Sequence, residues 1–91
     1  MSKNAENLPI GIAPLSARVI RSAADLGAIA RAQRLRLELK QVDLAGLGNT
    51  GNRFIVDLER GKPTLQLQMA MDLLDLLGLE LVVQPKSAGT P

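Results

Sequence analysis

Two short predicted helices joined by a tight turn occupy residues 41–62, and this arrangement constrains the fold more than any other feature of the chain. The stretch, QVDLAGLGNTGNRFIVDLERGK, has apolar residues at helical spacing on both sides of Gly48-Asn49. Gly and Asn most easily enter the left-handed conformation that ends a helix abruptly. We therefore expect helices at about 41–47 and 52–60, in the layout of a helix-turn-helix.

The residues before this segment predict an arm, a short strand and one more helix. Residues 1–16 carry Gly, Pro, Asn and Ser without a clear period, which is typical of a flexible arm. Residues 17–21 (ARVIR) alternate polar and apolar side chains, which favours a short strand. Ser22 is suited to cap a helix over about 23–37, with Asp25 in place of the Glu or Gln of the usual capping box.

A fourth helix and a second strand are predicted after the helix-turn-helix. Thr64 is placed to cap a helix over about 65–77, and Gly78 is placed to end it. Residues 79–84 (LELVVQ) form a compact β-prone run. Residues 85–91 are typical of a disordered tail.

The second strand and the fourth helix both indicate a need for a partner. A lone strand is not stable in water, so residues 79–84 pair either with residues 17–21 or with the same strand of a second subunit. The helix over 65–77 has more apolar surface than one small core needs, which indicates a subunit interface or packing on two sides within the monomer. The predicted homodimer interface comprises Met71, Leu74, Leu79, Leu81, Val82 and Val83.

Composition argues against several classes of protein. The 91 residues predict one folded domain, at 17–84. Cys and His are both absent, so disulfides, thiolate chemistry and the commonest metal ligand are missing. Without a nucleophile motif or a Gly-rich loop after a strand, we expect no enzyme, no catalytic residues, no cofactor and no metal site. The absence of a membrane-spanning apolar run or a signal peptide favours the cytoplasm.

Charge is distributed unevenly along the chain. Residues 18–62 contain nine Lys or Arg against five Asp or Glu, whereas residues 63–84 contain three acidic residues and no basic one. A positive front with an acidic back suits a module that faces phosphates on one side. Ordinary charge scatter on a small protein is the alternative.

The start of the second helix of a helix-turn-helix lies against base edges in the major groove, which makes double-stranded DNA the expected partner. Arg can donate two hydrogen bonds to guanine, and Asn can pair with adenine in the same bidentate way. Asn52 and Arg53 are therefore the best candidates for base readout, the alternative being two solvated residues on an exposed first turn. The predicted contact positions at this turn are Thr50, Gly51, Asn52 and Arg53.

Phosphate contacts are expected at two other places. Lys40 and Gln41 begin the first helix of the motif, where backbone N–H groups without helical partners attract an anion. Lys62 follows the second helix and is a further phosphate candidate. Such contacts fix the register of a protein on DNA but carry no sequence information. For each lysine, a plain solvated side chain is an equally good interpretation.

Arg34 and Glu59 are expected to form a structural ion pair. Both lie toward the ends of predicted helices that should pack on each other. Removing one partner of such a pair leaves the other charge poorly compensated.

Several stretches of the chain resemble the XRE family of helix-turn-helix proteins and, within it, the HipB-like antitoxins. The matching stretches between residues 23 and 83 are AADLGAIARAQR, LKQVDLAGL, NRFIVDLERGKPTL and LLDLLGLELVV. FIVDLERGKPT is the most specific of them. The resemblance covers about two thirds of the chain.

This resemblance implies an all-α, lambda-repressor-like bundle of four to five helices, with a short C-terminal β-strand used in dimerisation. It implies a homodimer on a palindromic operator, with a HipA-like Ser/Thr kinase toxin as a second partner that the antitoxin neutralises. It also implies a buried pair between Arg34 and Glu59. The DNA contacts that it implies are Gln41, Asn52, Arg53 and Asp57, with Arg60 and Lys62 on the DNA backbone.

The chain departs from the family pattern just before each helix of the motif and within its second helix. Glu38 stands where the family usually has Gly, and Lys40 where it has a Ser or Thr cap; together they could let the first helix run on. Gly51 stands where Ser is usual before the second helix, and Val56 where a polar residue is common. Two alternatives to an antitoxin therefore remain: a solitary phage-type regulator, and a protein-interaction module with weakened DNA readout.

Overall fold

The computed structural model describes residues 17–86, in which four helices surround one apolar core. The predicted helical class is confirmed, and each helix boundary lies within two residues of its expected place. The helices are α1 (Ala23–Arg36), α2 (Gln41–Gly48), α3 (Asn52–Arg60) and α4 (Leu67–Leu76). The predicted arm at 1–16, and residues 87–91 of the predicted tail, lie outside the described residues.

The first helix starts as its sequence predicts, but the fourth does not. The Ser22 hydroxyl accepts a hydrogen bond from the backbone N–H of Asp25 at 3.1 Å, which caps α1. At the other site, the expected cap at Thr64 is wrong, since α4 is preceded by Gln66. Pro63 and Thr64 instead form a turn of their own, and the helix begins only after that turn.

Each of the four helices is followed by one residue in the left-handed conformation, which lets two N–H groups bond back to terminal carbonyl groups. These residues are Glu38 (φ 60°), Asn49 (φ 55°), Gly61 (φ 81°) and Gly78 (φ 80°). After α1, Glu38 N–H donates to the Leu35 carbonyl at 2.9 Å and Leu39 N–H to the Arg34 carbonyl at 3.1 Å. α1 therefore ends at Arg36, close to the predicted end and without running on, and Glu38 adopts the left-handed conformation for which Gly is usual.

The core takes buried side chains from every helix. Ile55 and Leu58 are each at most 1% exposed and place the inner face of α3 at the centre of the core. Leu74 of the predicted subunit interface is also buried, at 2% exposure, so most of its side chain is covered within the chain. The core residues are Ala30, Leu44, Ala45, Ile55, Leu58, Ala70, Leu73, Leu74 and Leu77.

The two predicted strands are absent from the described part of the chain. Residues 17–21 and 79–84 have no regular secondary structure and flank an open apolar groove of about 290 Å³, floored by Ile29 of α1 and Leu74 of α4. The two segments therefore form no β-ladder with each other in the described part of the chain. None of the helices in residues 17–86 is long and apolar enough to cross a membrane.

Candidate nucleic-acid interface

The first turn of α3 presents its polar side chains outward. Gly51 precedes the helix, and Asn52 and Arg53 open it with exposed side chains, that of Arg53 being 77% exposed. Ile55 and Leu58 fix this orientation, because their burial turns the opposite face of α3 away from the core. The exposed Arg53 side chain is therefore accessible to a ligand in front of the helix.

Asp57 links the exposed cations around α3. Its Oδ1 lies 3.2 Å from Nε of Arg53, one helical turn earlier, and its Oδ2 lies 3.6 Å from Nζ of Lys62. The Asp57 side chain is only 13% exposed, whereas Lys62 is 51% exposed. The carboxylate that the resemblance assigns to DNA is thus engaged with two neighbouring cations.

A second network lies behind this surface and joins three helices. Arg34 of α1 donates to Glu59 of α3 through Nε at 2.6 Å and Nη2 at 3.0 Å, and also to the Leu39 carbonyl at 2.7 Å. The amide of Gln41 donates to Oε1 of Glu59 at 3.1 Å. The hydrogen bond with Glu59 raises the pKa of Arg34 above its already high usual value, against the opposing effect of burial. Gln41, at the start of α2, is therefore positioned from α3.

The start of α2 is less open to an anion than the sequence predicts. The side chain of Asp43 accepts the N–H of Lys40 at 2.8 Å, so a carboxylate already interacts with this helix terminus. The Lys40 ammonium cannot accept a hydrogen bond, and α2 has no side-chain cap from the residue before it. Within the described residues, the exposed side chains of Lys40 and Arg60 join neither of the two networks.

The turn between α2 and α3 is held mainly by backbone. Thr50 N–H donates to the Ala45 carbonyl at 2.9 Å, and the Thr50 hydroxyl lies 3.2 Å from the Gly51 carbonyl. Gly51 gives α3 no side-chain cap, although a Cβ at this position would meet no atom within 4 Å. The two helices of the motif are thus joined by a tight turn whose tip has room for a larger side chain.

Comparison with known proteins identifies the class of this fold. No family model matches the chain. The chain is 45% identical over 65 residues to the uncharacterised HTH-type transcriptional regulator y4mF of Sinorhizobium fredii, a match that covers 71% of this chain and 86% of the relative. The chain belongs to the HTH-type transcriptional regulators. Its class is therefore that of a DNA-binding transcriptional regulator, as the predicted helix-turn-helix indicates.

In this HTH regulator, the sequence analysis missed two residues that hold the helices against one another. Gly27 lets α1 lie directly on the end of α3, since a Cβ there would clash with the Leu58 carbonyl and lie 2.9 Å from that of Glu59. Gln33 donates to the Leu77 carbonyl at 2.9 Å and so ties α1 to the end of α4. A glycine inside an otherwise regular helix was the available signal for the first; for Gln33 the sequence offers none.

The regulator also exposes apolar side chains on α4 and in the segment that follows it. The remaining predicted interface residues differ in exposure: Leu79 packs against the core, while Leu81 is 38% exposed and Val83 fully exposed. Met71, on α4, is 41% exposed.

In the described residues, no group of three or more His, Cys, Asp or Glu side chains could hold a metal ion.

Proposed function

We propose that this HTH regulator binds a palindromic operator as a homodimer and represses transcription as the antitoxin of a HipA/HipB-like toxin–antitoxin system. The observation that carries the DNA-reading part is the 77% exposure of Arg53 on the first turn of α3, beside the exposed Asn52. This turn is the part of a helix-turn-helix that meets base edges. No catalytic activity is part of the proposal.

The residues around α3 have two separate roles in this proposal. Arg53 and Asn52 read bases, and each good bidentate pair contributes about 1–3 kcal/mol of discrimination against a wrong base. The cations near the ends of the helices neutralise phosphates, which strengthens binding to any sequence. The other residues proposed to contact DNA are Lys40, Gln41, Thr50, Gly51, Arg60 and Lys62.

The homodimer is supported by apolar side chains that the single chain leaves uncovered. Val82 is 69% exposed and Val83 fully exposed, next to a groove lined by Ile20 and Leu81. Pairing of residues 79–84 with their copy in a second subunit would cover these side chains and bond the backbone of both segments. Two-fold symmetry then places the two α3 helices on half-sites about one helical turn apart.

The toxin partnership is supported by the resemblance of FIVDLERGKPT to HipB-like antitoxins. It is tested by expressing the product of the adjacent gene with and without this regulator. A kinase-like neighbour whose toxicity the regulator suppresses supports an antitoxin. An unrelated neighbour leaves a solitary regulator, with the same DNA interface and no toxin.

DNA recognition is tested by an anisotropy titration against the DNA upstream of the gene, at about 50 and 200 mM salt, with scrambled DNA of the same length as the control. We expect binding to the upstream DNA to be at least about a thousandfold tighter than to the control. Equal, weak and steeply salt-dependent binding to both would overturn the proposal. That result would instead favour a protein-interaction module, to which the exposed Val42 and Leu47 on α2 are also suited.

A further inference from the structure

The side chains of Asp57, Arg53 and Lys62 form a small cluster on the outer side of α3, named here the α3 cluster. One carboxylate oxygen lies 3.2 Å from the Arg53 guanidinium, and the other lies 3.6 Å from the Lys62 ammonium. Arg53 is bound on the same face of the same helix, four residues earlier. Lys62 approaches from the loop after α3, so the cluster joins the two ends of this helix.

The exposure of the three side chains gives the α3 cluster a direction. Asp57 is 13% exposed, while Lys62 is 51% and Arg53 is 77% exposed. The carboxylate therefore lies at the base of the cluster, and the two cations extend beyond it. An approaching nucleic acid meets the cations first and is kept apart from the carboxylate.

The contact atoms leave Arg53 able to read a base. Asp57 engages Arg53 through Nε, the nitrogen nearest the helix. A guanidinium has five N–H donors, of which four belong to the two terminal nitrogens. These terminal nitrogens remain available to donate to the two major-groove acceptors of guanine, O6 and N7. The same carboxylate restricts the rotation of the long Arg53 side chain, so less conformational freedom is lost when DNA binds.

We propose that Asp57 is a positioning residue that sets the ratio of specific to non-specific DNA binding in this regulator, without itself contacting a base. It holds the Arg53 fork toward the bases and Lys62 toward the backbone. Its negative charge also offsets part of the attraction of these two cations for any phosphate chain. This inference rests on the proposed DNA-binding function and adds a residue that acts through its neighbours.

The test is the substitution Asp57→Asn, measured by anisotropy on the upstream DNA and on scrambled DNA. We expect weaker binding to the upstream DNA, tighter binding to scrambled DNA, and a fall of at least about tenfold in the ratio of the two affinities. Asp72→Asn is the matched control: it makes the same change in net charge on α4, where Asp72 accepts a hydrogen bond from Gln68. It should leave the ratio within about twofold of wild type, as expected for a site away from the interface.

A double-mutant cycle separates positioning from a structural role. In an Arg53→Lys background, which keeps the positive charge but removes the guanidinium fork, Asp57→Asn should lower the ratio much less than it does in wild type, because the fork that it positions is gone. Thermal unfolding of each variant checks that it is folded at the assay temperature. Asp57→Ser, which also removes the carboxylate, replaces Asp57→Asn if the latter is unfolded.

The outcomes distinguish this inference from the proposed function on which it rests. Specific binding by wild type with equal affinity ratios for Asp57→Asn and Asp72→Asn would overturn the inference alone. An undiminished loss in the Arg53→Lys background would overturn it as well, because Asp57 would then act independently of the Arg53 fork. Equal binding of upstream and scrambled DNA by wild type would overturn the proposed function and this inference together.

Discussion

Arg34 on α1 and Glu59 on α3 are joined by two parallel hydrogen bonds, at 2.6 and 3.0 Å, with both side chains less than 10% exposed. Each partner also has a further hydrogen bond. Arg34 donates to the Leu39 carbonyl in the loop before α2, and Glu59 accepts from Gln41 at the start of α2. One buried network thus fixes the position of α2 and α3 relative to α1. The exposed first turn of α3 depends on that position.

Removing Glu59 should be strongly destabilising. Glu59→Ala leaves the Arg34 charge buried without its partner, and we expect a loss of about 3–5 kcal/mol in the free energy of unfolding. Urea denaturation followed by circular dichroism measures this loss. Asp75→Ala, at an exposed position on α4, is the control and should change stability by less than about 0.5 kcal/mol. A similar small change for both variants would mean that the pair contributes little to the fold.

The same pair predicts how the Arg34 contribution depends on pH. The hydrogen bond with Glu59 raises the pKa of Arg34, so its stabilising effect is present at every pH below the normal Arg pKa and is lost only in strong alkali. The stability difference between wild type and Arg34→Met should therefore be the same at pH 6 and pH 9. A difference that shrinks across this range would contradict an arginine that stays charged.

Two glycines inside helices should respond to alanine in opposite ways. Gly27→Ala places a Cβ against the Leu58 and Glu59 carbonyl groups, which are backbone atoms that cannot turn aside. We expect it to cost about 1–3 kcal/mol, because α1 must move off α3. Gly46→Ala on α2 meets nothing within 4 Å, so it should stabilise the chain by about 0.5–1 kcal/mol through higher helix propensity. Thermal unfolding of the two variants tests this; a gain in stability from Gly27→Ala as large as that from Gly46→Ala would show that α1 is not in close contact with α3.

Replacing Glu38 with glycine should stabilise the fold. Its φ of 60° places a side chain with a long aliphatic stem in the left-handed conformation, which costs an ordinary residue about 1–2 kcal/mol. Glu38→Gly removes most of that cost and should raise the free energy of unfolding by about 1 kcal/mol. Asn49→Gly, at the other left-handed non-glycine position, should gain less, because Asn tolerates this conformation. Equal gains from both, in chemical denaturation, would contradict a strained Glu38.

Local signals predicted the helices well where caps and breaks lie at their ends. The expected bounds of α3 match the structure because Gly51 and Gly61 flank an unambiguous amphipathic run. The expected start of α4 was wrong because a Thr can serve as a cap or as part of a turn, and the Pro63-Thr64 turn precedes this helix. The sequence alone does not distinguish these two uses.

Contacts between distant residues were predictable only in part. The charges of Arg34 and Glu59, and their places toward the ends of helices expected to pack on each other, were enough to suggest that they pair. The ion pairs of Asp57 with Arg53 and Lys62 were not expected. The spacing of these residues in the sequence allows the carboxylate either to pair with its neighbours or to face a ligand. The strand prediction for residues 79–84 was based on residue type, but β-structure also needs a partner strand, which the single chain does not supply.

Arg53 and Lys62 should have different effects on DNA binding if they have the proposed roles. Arg53→Ala should abolish preference for the upstream DNA with little loss of stability, since the side chain is 77% exposed. Lys62→Ala should weaken binding to all DNA alike and lower the slope of log affinity against log salt by about one. Lys86→Ala, which removes a positive charge after α4, is the control. Unchanged preference in Arg53→Ala, or an unchanged slope in Lys62→Ala, would contradict the corresponding role.

Val83→Asp should separate the proposed homodimer into monomers without unfolding them. Val83 is fully exposed in the single chain and does not belong to its core, so the helical circular dichroism of the variant should match that of wild type. In a paired interface the new carboxylate would lose its water, which should weaken dimerisation at least about a hundredfold. Sedimentation at micromolar concentration measures this change.

The control for that measurement is Val42→Asp, which adds the same charge at an exposed apolar position on α2. It should leave the sedimentation behaviour as in wild type, because α2 lies outside the proposed interface. If both wild type and Val83→Asp sediment as dimers, residues 79–84 do not form the dimer interface. Another surface of the chain must then form it. The exposed side of α4 around Met71 would then be the next surface to change.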